Sequence, residues 1–508
     1  MAGIFHFVTT LSVQDFAQAV SVALPHARRR HSEGEVLLLD SPTLALRRGG
    51  WLLIATSTTG ETSLSLRHLK RQTSLTAPAP ARLPEAVHDI IAVPLRQRLE
   101  GQIGDSRLLV VHRWRERGLR YECLNDDDKV ECTLIAHQYH AIAPGSQASP
   151  VVIELIAKRG YESETSALAR ALEKRLAWRA LEGDGFELLE DLHLAAVTAS
   201  GVGASPPRQT AAAIAVASVL LDHHATMCAT VVPGAAPEAQ QLHELRVAMR
   251  HSRSLLRAYR GLLGRDLERH FQGEFRWLSA ATRRLRDIDV LHAALLAPAP
   301  DYVALDKRER KRLANCLKRE RARDAARLQR VLAGARYARL RRVWPLALAA
   351  VIAATTPDAP PIGEAAAAAI RKAFARLRRD AAAVAADYSP TALHELRKQC
   401  KRLRYLVEPC ASLYPRERIA AVQSALKQLQ TVLGKSCDRH AQLALFKGHL
   451  WRRTKGQPAL RAALKSARRA LREHLAVSDV DTLLRALDEF DNRRHQAALD
   501  ALFGMPEL

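Results

Sequence analysis

Residues 242–257 read LHELRVAMRHSRSLLR, and residues 393–408 read LHELRKQCKRLRYLVE. The shared opening, Leu242-His243-Glu244-Leu245-Arg246 and Leu393-His394-Glu395-Leu396-Arg397, sets an offset of 151. The same offset pairs Arg250 with Lys401, Arg253 with Arg404, Arg276 with Lys427, Leu278 with Leu429 and Asp287 with Asp438. Biased composition can repeat five letters. Keeping register, without a gap, over two successive helical segments points to duplication of a structural unit.

Within each copy the first segment has a helical period. His243, Arg246, Arg250, Arg253 and Arg257 follow at intervals of 3, 4, 3 and 4, which keeps them on one side of an α-helix. His394, Arg397, Lys401 and Arg404 repeat the spacing. Beside each runs an apolar stripe: Leu242, Leu245, Met249, Leu256 and Tyr259, then Leu393, Leu396, Cys400, Leu403 and Val407. Each helix is therefore expected to bury one edge while the adjoining edge carries cations, over roughly 20 Å at 1.5 Å per residue. A stabilising surface would interleave Glu with Arg, yet no acid lies between Arg246 and Arg265 or among Arg397–Tyr405. Like charges one turn apart are unfavourable, so an anionic partner is implied. Arg supplies bidentate hydrogen bonds to phosphate, Lys a compact charge, and His a neutral donor near pH 7. Two plainer readings stand beside this one. Most basic helix faces are simply solvated, and each histidine can merely cap or buttress a neighbour. Asp287 and Asp438 read as members of structural ion pairs.

The wider sequence agrees. Residues 1–200 carry 23 Lys+Arg against 24 Asp+Glu, and residues 201–508 carry 54 against 29, so the net charge of +24 resides in the second region. Such a field attracts polyanions: phosphate polymers, nucleic acid or anionic membrane surfaces. Aromatics at 5% are too scarce for base-stacking platforms, and a hydrophobic content of 48% suffices for real cores. Cys123, Cys132, Cys228, Cys316, Cys400, Cys410 and Cys437 show no CxxC or regular spacing, so reduced thiols are expected, with neither disulfide frame nor metal site. The N-terminus lacks signal-peptide features, and apolar stretches such as Trp344–Thr356 are too short to span a bilayer. A soluble, cytoplasmic protein without a membrane partner or cofactor is expected.

Two domains are expected. Residues 1–198 alternate strand-like segments (Ile4–Thr9, Glu35–Leu39, Gly50–Ala55, Leu108–Trp114, Lys129–Ile135, Val151–Ala157) with helices at Val13–Leu24 and Ser163–Ala180, an α+β antiparallel domain. Residues 199–207 read as a linker. Residues 208–490 read as an all-α bundle with halves at 208–335 and 338–490, its helices near 209–230, 237–263, 266–296, 302–333, 338–354, 363–388, 391–413, 416–434, 438–452 and 458–474.

The segments His243–Arg257 with Trp277–Val290, and His394–Tyr405 with Leu426–Asp438, resemble the CHAD family of histidine-containing α-helical domains. That resemblance implies a helical bundle of two pseudo-twofold halves, a basic groove or pore that binds inorganic polyphosphate, and targeting to polyphosphate granules and their proteins. Carried over by position, His243, Arg246, Arg250, Arg253, His394, Arg397, Lys401 and Arg404 fall on the family's basic helix positions. Arg257, Lys398, Arg402, Arg276 and Lys427 are added as neighbours. Glu408 replaces the counterpart of Arg257, so the stripes differ at that end.

Residues 38–51 and 151–171 resemble parts of the CYTH, or triphosphate-tunnel, family, which implies a β tunnel in the first domain. That family's enzymes carry an N-terminal Glu-x-Glu-x-Lys that holds divalent metal. The corresponding strand here, Gly3–Val8, has neither acid nor lysine, and Ile156 stands where a second late acid is expected beside Glu154. Arg47, Arg48, Arg113, Arg115 and Arg117 are still available to contact phosphate. The leading expectation is polyphosphate binding without catalysis. The alternatives are a triphosphatase or polyphosphatase built on Glu154 and Asp126–Asp128, or non-specific nucleic-acid binding.

Overall fold

Antiparallel pairing organises the N-terminal residues of the computed structural model. The structure describes all residues except 1–3, 42–43, 59–60, 69–70, 80–82, 126, 142–148, 177, 182–206, 232–234, 297–304, 357, 387–388, 478, 491–498, 500 and 505–508. It divides into two units, Met1–Gly201 with Arg342–Ala354, and Val202–Arg341 with Thr355–Leu508. The expected linker, apart from Pro207, lies outside the described residues.

The first unit holds β1 (Ile4–Thr9), β2 (Arg28–Asp40), β3 (Trp51–Thr58), β4 (Glu61–His68), β5 (Arg71–Pro78), β6 (Leu109–Leu124), β7 (Val130–Ala141), β8 (Val151–Ala157) and β9 (Arg179–Ala180). They form one sheet in the order β5-β4-β3-β2-β6-β7-β8-β1-β9. Helices α1 (Val13–Ala23), α2 (Ala45–Arg48), α3 (Val93–Ile103) and α4 (Glu162–Leu176) accompany it. Phe16 and Val20 of α1, with Ala169 and Leu172 of α4, bury Phe7, Tyr121, Leu134 and Ile153 on one flank. Leu95 and Leu99 of α3 cover Leu37, Leu53 and Leu66 on the other.

The opposite face turns inward. In a flat sheet β4 and β8, five strand spacings apart, would stand about 24 Å from each other. Instead Arg67 Nη1 of β4 lies 3.6 Å from Glu154 Oε1 of β8, so the sheet curls and these side chains meet across its interior. Val36, Leu38, Leu52, Ile54, Trp114, Tyr139 and Val152 share this inner face. Pairing of His6 with Glu154, and of Ile4 with Ile156, puts Ile4, His6 and Val8 on the same side.

The chain beyond Val202 is helical: α5 (Ala212–Ala229), α6 (Ala239–Ala258), α7 (Arg260–Leu263), α8 (Arg265–Leu296), α9 (Lys307–Leu332), α10 (Ala335–Ala354), α11 (Ile362–Ala386), α12 (Pro390–Val407), α13 (Arg416–Leu445), α14 (Pro458–Val477) and α15 (Asp479–Phe490), all in the second unit except α10 from Arg342 onward, which groups with the first. The expected break at 434–438 is absent. Helix α13 continues to Leu445 and passes through a π turn, Phe446–Leu450, into Trp451–Arg453. Helices α6 and α12 begin 151 residues apart, as do α8 and α13, and α9 and α14. The starts of α5 and α11 bond reciprocally: Ala212 N donates to Pro360 O and Ile362 N to Thr210 O, both at 2.8 Å. These features describe a pseudo-twofold pair of four-helix repeats.

Both stripe helices have defined starts. Ser389 Oγ accepts from Ala392 N at 3.1 Å, with Pro390 in the first turn of α12. Gln241 Oε1 accepts from Glu238 N at 2.9 Å ahead of α6. All ten stripe residues are at most 3% exposed, and full burial of large apolar side chains contributes about 1.5–3 kcal/mol each. Helix α5 has the length and mean hydropathy (1.4) of a membrane span, but half of that window is buried inside the protein.

Leu245 and Leu396 are equivalent and fully buried. Leu245→Ala and Leu396→Ala should each cost about 2–5 kcal/mol in urea unfolding followed by far-UV circular dichroism. A loss under about 1 kcal/mol at either position would contradict its placement in the core.

Candidate functional site

Helices α6 and α12 pack against one another, α8 against α6 and α13 against α12. Two cavities open along their basic edges. The first, about 700 Å³, is lined by His243, Arg246, Arg250, His394, Arg397, Lys401 and Arg404, with Arg283, Arg286 and Asp287 from α8 and Gln430, Asp438 and His440 from α13. Seven cations face two carboxylates there. The second, about 670 Å³, is lined by Arg250, Arg253, Arg257, Lys398, Lys401 and Arg402, with Arg260 and Glu268 beside them and Lys372 and Arg376 from α11. Nine cations face one carboxylate. Arg250, Lys401 and Tyr405 belong to both linings, so the cavities meet on a matched cation pair.

Eleven of the thirteen basic and histidine positions singled out in the sequence thus border one cavity or the other. Arg276 and Lys427, themselves equivalent, are exposed and border neither. The sequence reading missed Arg283, Arg286, Lys372 and Arg376. Arg283 and Arg286 lie three residues apart in the second half-motif, close before Asp287, which is where a signal was available. Lys372 and Arg376 come from a helix preceding the motif and are brought in by tertiary packing alone.

The two copies hold their first arginine differently. Arg246 donates to Ser279 O (3.1 Å) and Thr282 Oγ1 (2.8 Å), both neutral acceptors. Leu433 replaces Thr282 in the second copy, and Arg397 instead donates to Asp438 Oδ1 at 2.9 Å. Arg253 Nε donates to Gln272 Oε1 (3.2 Å), and Gln272 Nε2 donates back to Arg253 O (2.6 Å). Arg404 pairs with Glu408 at 3.2 Å, the acid that stands in place of Arg257's counterpart. Among the described residues, Arg250 Nε is buried without a hydrogen-bond partner.

Crowding shows in the ionisation of these groups. Burial, then the neighbouring Arg397 and Arg250, push Lys401 down to about 8. Burial and Arg250 push Arg246 down to about 10. Burial also lowers His243 and His394, with Arg286 and Lys398 respectively adding to it, so both histidines are neutral at pH 7. Cations held this way gain when an anion enters, because it relieves both their desolvation and their mutual repulsion.

The inner face of the β sheet is a different environment. Glu154 is engaged by Arg67, and the buried Glu116 is hydrogen-bonded to His137 Nδ1. Burial opposes charging of His137, but Glu116 outweighs it and raises its pKa. Ile4, His6 and Val8 occupy the first strand's inward positions, so a hard divalent cation would lack the clustered carboxylate oxygens it needs. Among the described residues no group of three or more His, Cys, Asp or Glu could hold a metal ion. Arg113, Arg115 and Arg117 alternate with buried Trp114 and Glu116 and face solvent; Arg113 and Arg117 pair with Glu35 and Glu33. Asp127 and Asp128 lie on an exposed turn, and Asp126 lies outside the described residues.

Among known proteins, the family model of the CHAD domain matches residues 218–447. No curated protein matches the chain. Among solved structures it is similar to the CHAD domain from the plant Ricinus communis, at 20% identity, covering 59% of this chain and 94% of that one with a TM-score of 0.47. PptA from Streptomyces chartreusis matches at 16% identity, 55% and 100% coverage and a TM-score of 0.39. HpAC1 from Hippeastrum, named for adenylyl cyclase and described as having a dominant triphosphatase activity, matches at 14% identity, 38% and 96% coverage and a TM-score of 0.28.

Folded Lys401 releases its proton near 8, against 10.5 for an ordinary lysine. Between those values the unfolded chain binds more protons, so the site's contribution to stability rises with pH over that window. NMR of ¹³Cε-labelled lysine should show one resonance titrating near 8 that is missing from Lys401→Arg. A spectrum in which every lysine titrates above 10 would refute the crowding.

Proposed function

We propose, from the premise that residues 218–447 form a CHAD domain, that the chain binds inorganic polyphosphate along the two cavities between α6 and α12. The carrying observation is the pair Arg250 and Lys401, one from each copy, half-buried side by side where the cavities meet. A linear chain of phosphates presents one anionic group after another at short intervals, matching cations repeated every helical turn. Arginines supply forked donors along the chain and Lys401 a point charge at its middle.

Two features favour this ligand over nucleic acid. A cavity of about 700 Å³ admits a single-file chain but not a duplex. Single-stranded nucleic acid is held by stacking on exposed aromatic rings. The aromatic residue lining these cavities, Tyr405, is 2% exposed. Association with polyphosphate granules in the cytoplasm follows from the same reading. The curled sheet is proposed to be a worn tunnel domain without catalysis, since Arg67 and His137 already engage its inward carboxylates.

Charge reversal of the central pair, Arg250→Glu with Lys401→Glu, should weaken polyphosphate binding at least ~10²-fold, because each hydrogen bond to a charged group contributes about 1.5–3 kcal/mol. The equivalent exposed pair, Arg276→Glu with Lys427→Glu, serves as control and should shift affinity by no more than about threefold. Fluorescence anisotropy with excess duplex DNA present reads both; equal losses would mean that generic charge does the binding. Full-length protein with Mg²⁺ or Mn²⁺ should release no phosphate from triphosphate or polyphosphate. Release that disappears in Glu154→Ala would restore the enzyme reading.

A further inference from the structure

A second basic surface lies outside the cavities. Helix α9 reads KRERKRLANCLKRERARDAARLQRVL, in which Glu and Asp are interspersed as though to balance the cations. The fold removes that balance. Glu320 and Asp324 are 3% and 6% exposed; they turn inward to engage Arg323 and Arg284. Glu309 is tied to the helix start and to Ser466 Oγ. Arg308, Arg312, Arg319 and Arg330 remain exposed at intervals of 4, 7 and 11, along a line of roughly 33 Å. Lys311 and Lys318 flank them. Helix α14, packed beside α9 through Leu313, Leu317, Leu464 and Leu471, adds exposed Arg461, Lys465 and Arg472.

Helix α8 separates this ridge from the cavities. Its Arg283, Arg286 and Asp287 line the first cavity, while its Ile288, Leu291 and Leu295 pack into the apolar layer beneath α9 and α14. An anion chain in the cavities and one on the ridge therefore sit on different sides of that layer.

We propose that the ridge on α9 and α14 is a second polyphosphate-binding surface, so that one molecule bridges two polyphosphate chains. The inference rests on the proposed function for its ligand class. The ridge is open and convex, so it holds a chain by charge alone, without enclosing it. It should therefore be the weaker and more salt-sensitive of the two sites. Joining a strong and a weak site in one body raises the effective concentration of the second chain and turns a binder into a cross-linker.

The test uses full-length protein, biotinylated polyphosphate on beads and a fluorescent polyphosphate in solution. Wild type should bind the soluble chain and, when loaded on beads, capture it as a second chain. The variant Arg308→Gln, Arg312→Gln, Lys318→Gln, Arg319→Gln should keep single-chain affinity within about twofold yet lose capture at least ~10-fold. Undiminished capture by the variant would overturn the proposal. So would wild type that binds one chain but captures no second. Absence of any single-chain binding would refute the cavity reading itself. Capture abolished by duplex DNA at equal phosphate concentration, with cavity binding intact, would assign the ridge to nucleic acid instead.

Discussion

Burying one edge of a helix whose adjoining edge is cationic is the constraint on which the second unit depends. Nine stripe side chains on α6 and α12, with Tyr259 just beyond α6, are almost fully enclosed, and each large aliphatic one contributes about 1.5–3 kcal/mol. Like charges one turn apart on a helix surface oppose folding by only about 0.2–0.5 kcal/mol per pair. Apolar burial wins by a wide margin, even allowing for the larger cost of desolvating Lys401 and Arg246. The protein can thus hold concentrated positive charge in place before any ligand arrives, which removes most of the ordering cost from binding.

Duplication supplies the geometry that one helix cannot. A single basic stripe faces solvent and is screened within a Debye length. Two stripes related by a pseudo-dyad face each other, and Arg250 meets Lys401 where the cavities join. The halves have diverged in their neutralising groups. Thr282 lets Arg246 satisfy itself on neutral oxygens, whereas Leu433 sends Arg397 to Asp438. Glu408 ties up Arg404, while among the described residues Arg257 has no ion pair. The two copies therefore neutralise their basic stripes at different points along the dyad.

Much of this was legible in the sequence because period and offset are local properties. The stripes, the register of the repeat, and strands Ile4–Thr9 and Val151–Ala157 follow directly from the order of residues. What escaped depends on neighbours. Strands β4 and β5, ETSLSLRH and RQTSLTAP, are rich in small polar residues and lack a β-branched run, so pairing, not propensity, makes them strands. Gly434-Lys435-Ser436 reads as a helix stop, yet α13 runs through it, because packing of Leu433 before it and Leu443 beyond it outweighs a glycine cost of about 1 kcal/mol. Lys372 and Arg376 reach the site from a helix with no motif. The inward turn of Glu320 and Asp324 is invisible in a charge count, which sees α9 as partly balanced.

The same accounting separates the two units. In the sheet, inward carboxylates are met by inward basic side chains: Glu154 by Arg67, Glu116 by His137. A polar interior that satisfies itself in this way gains cohesion from the groups it would otherwise offer to a ligand, and an incoming phosphate would have to displace Glu154 to reach Arg67. In the helical unit the reverse holds, since cations outnumber carboxylates along both cavities and, among the described residues, the buried Nε of Arg250 has no hydrogen-bond partner. Net charge follows the same division, near zero over residues 1–200 and strongly positive beyond. Attraction for a polyanion is thus a property of the duplicated helices, where fold and charge were arranged by one repeat.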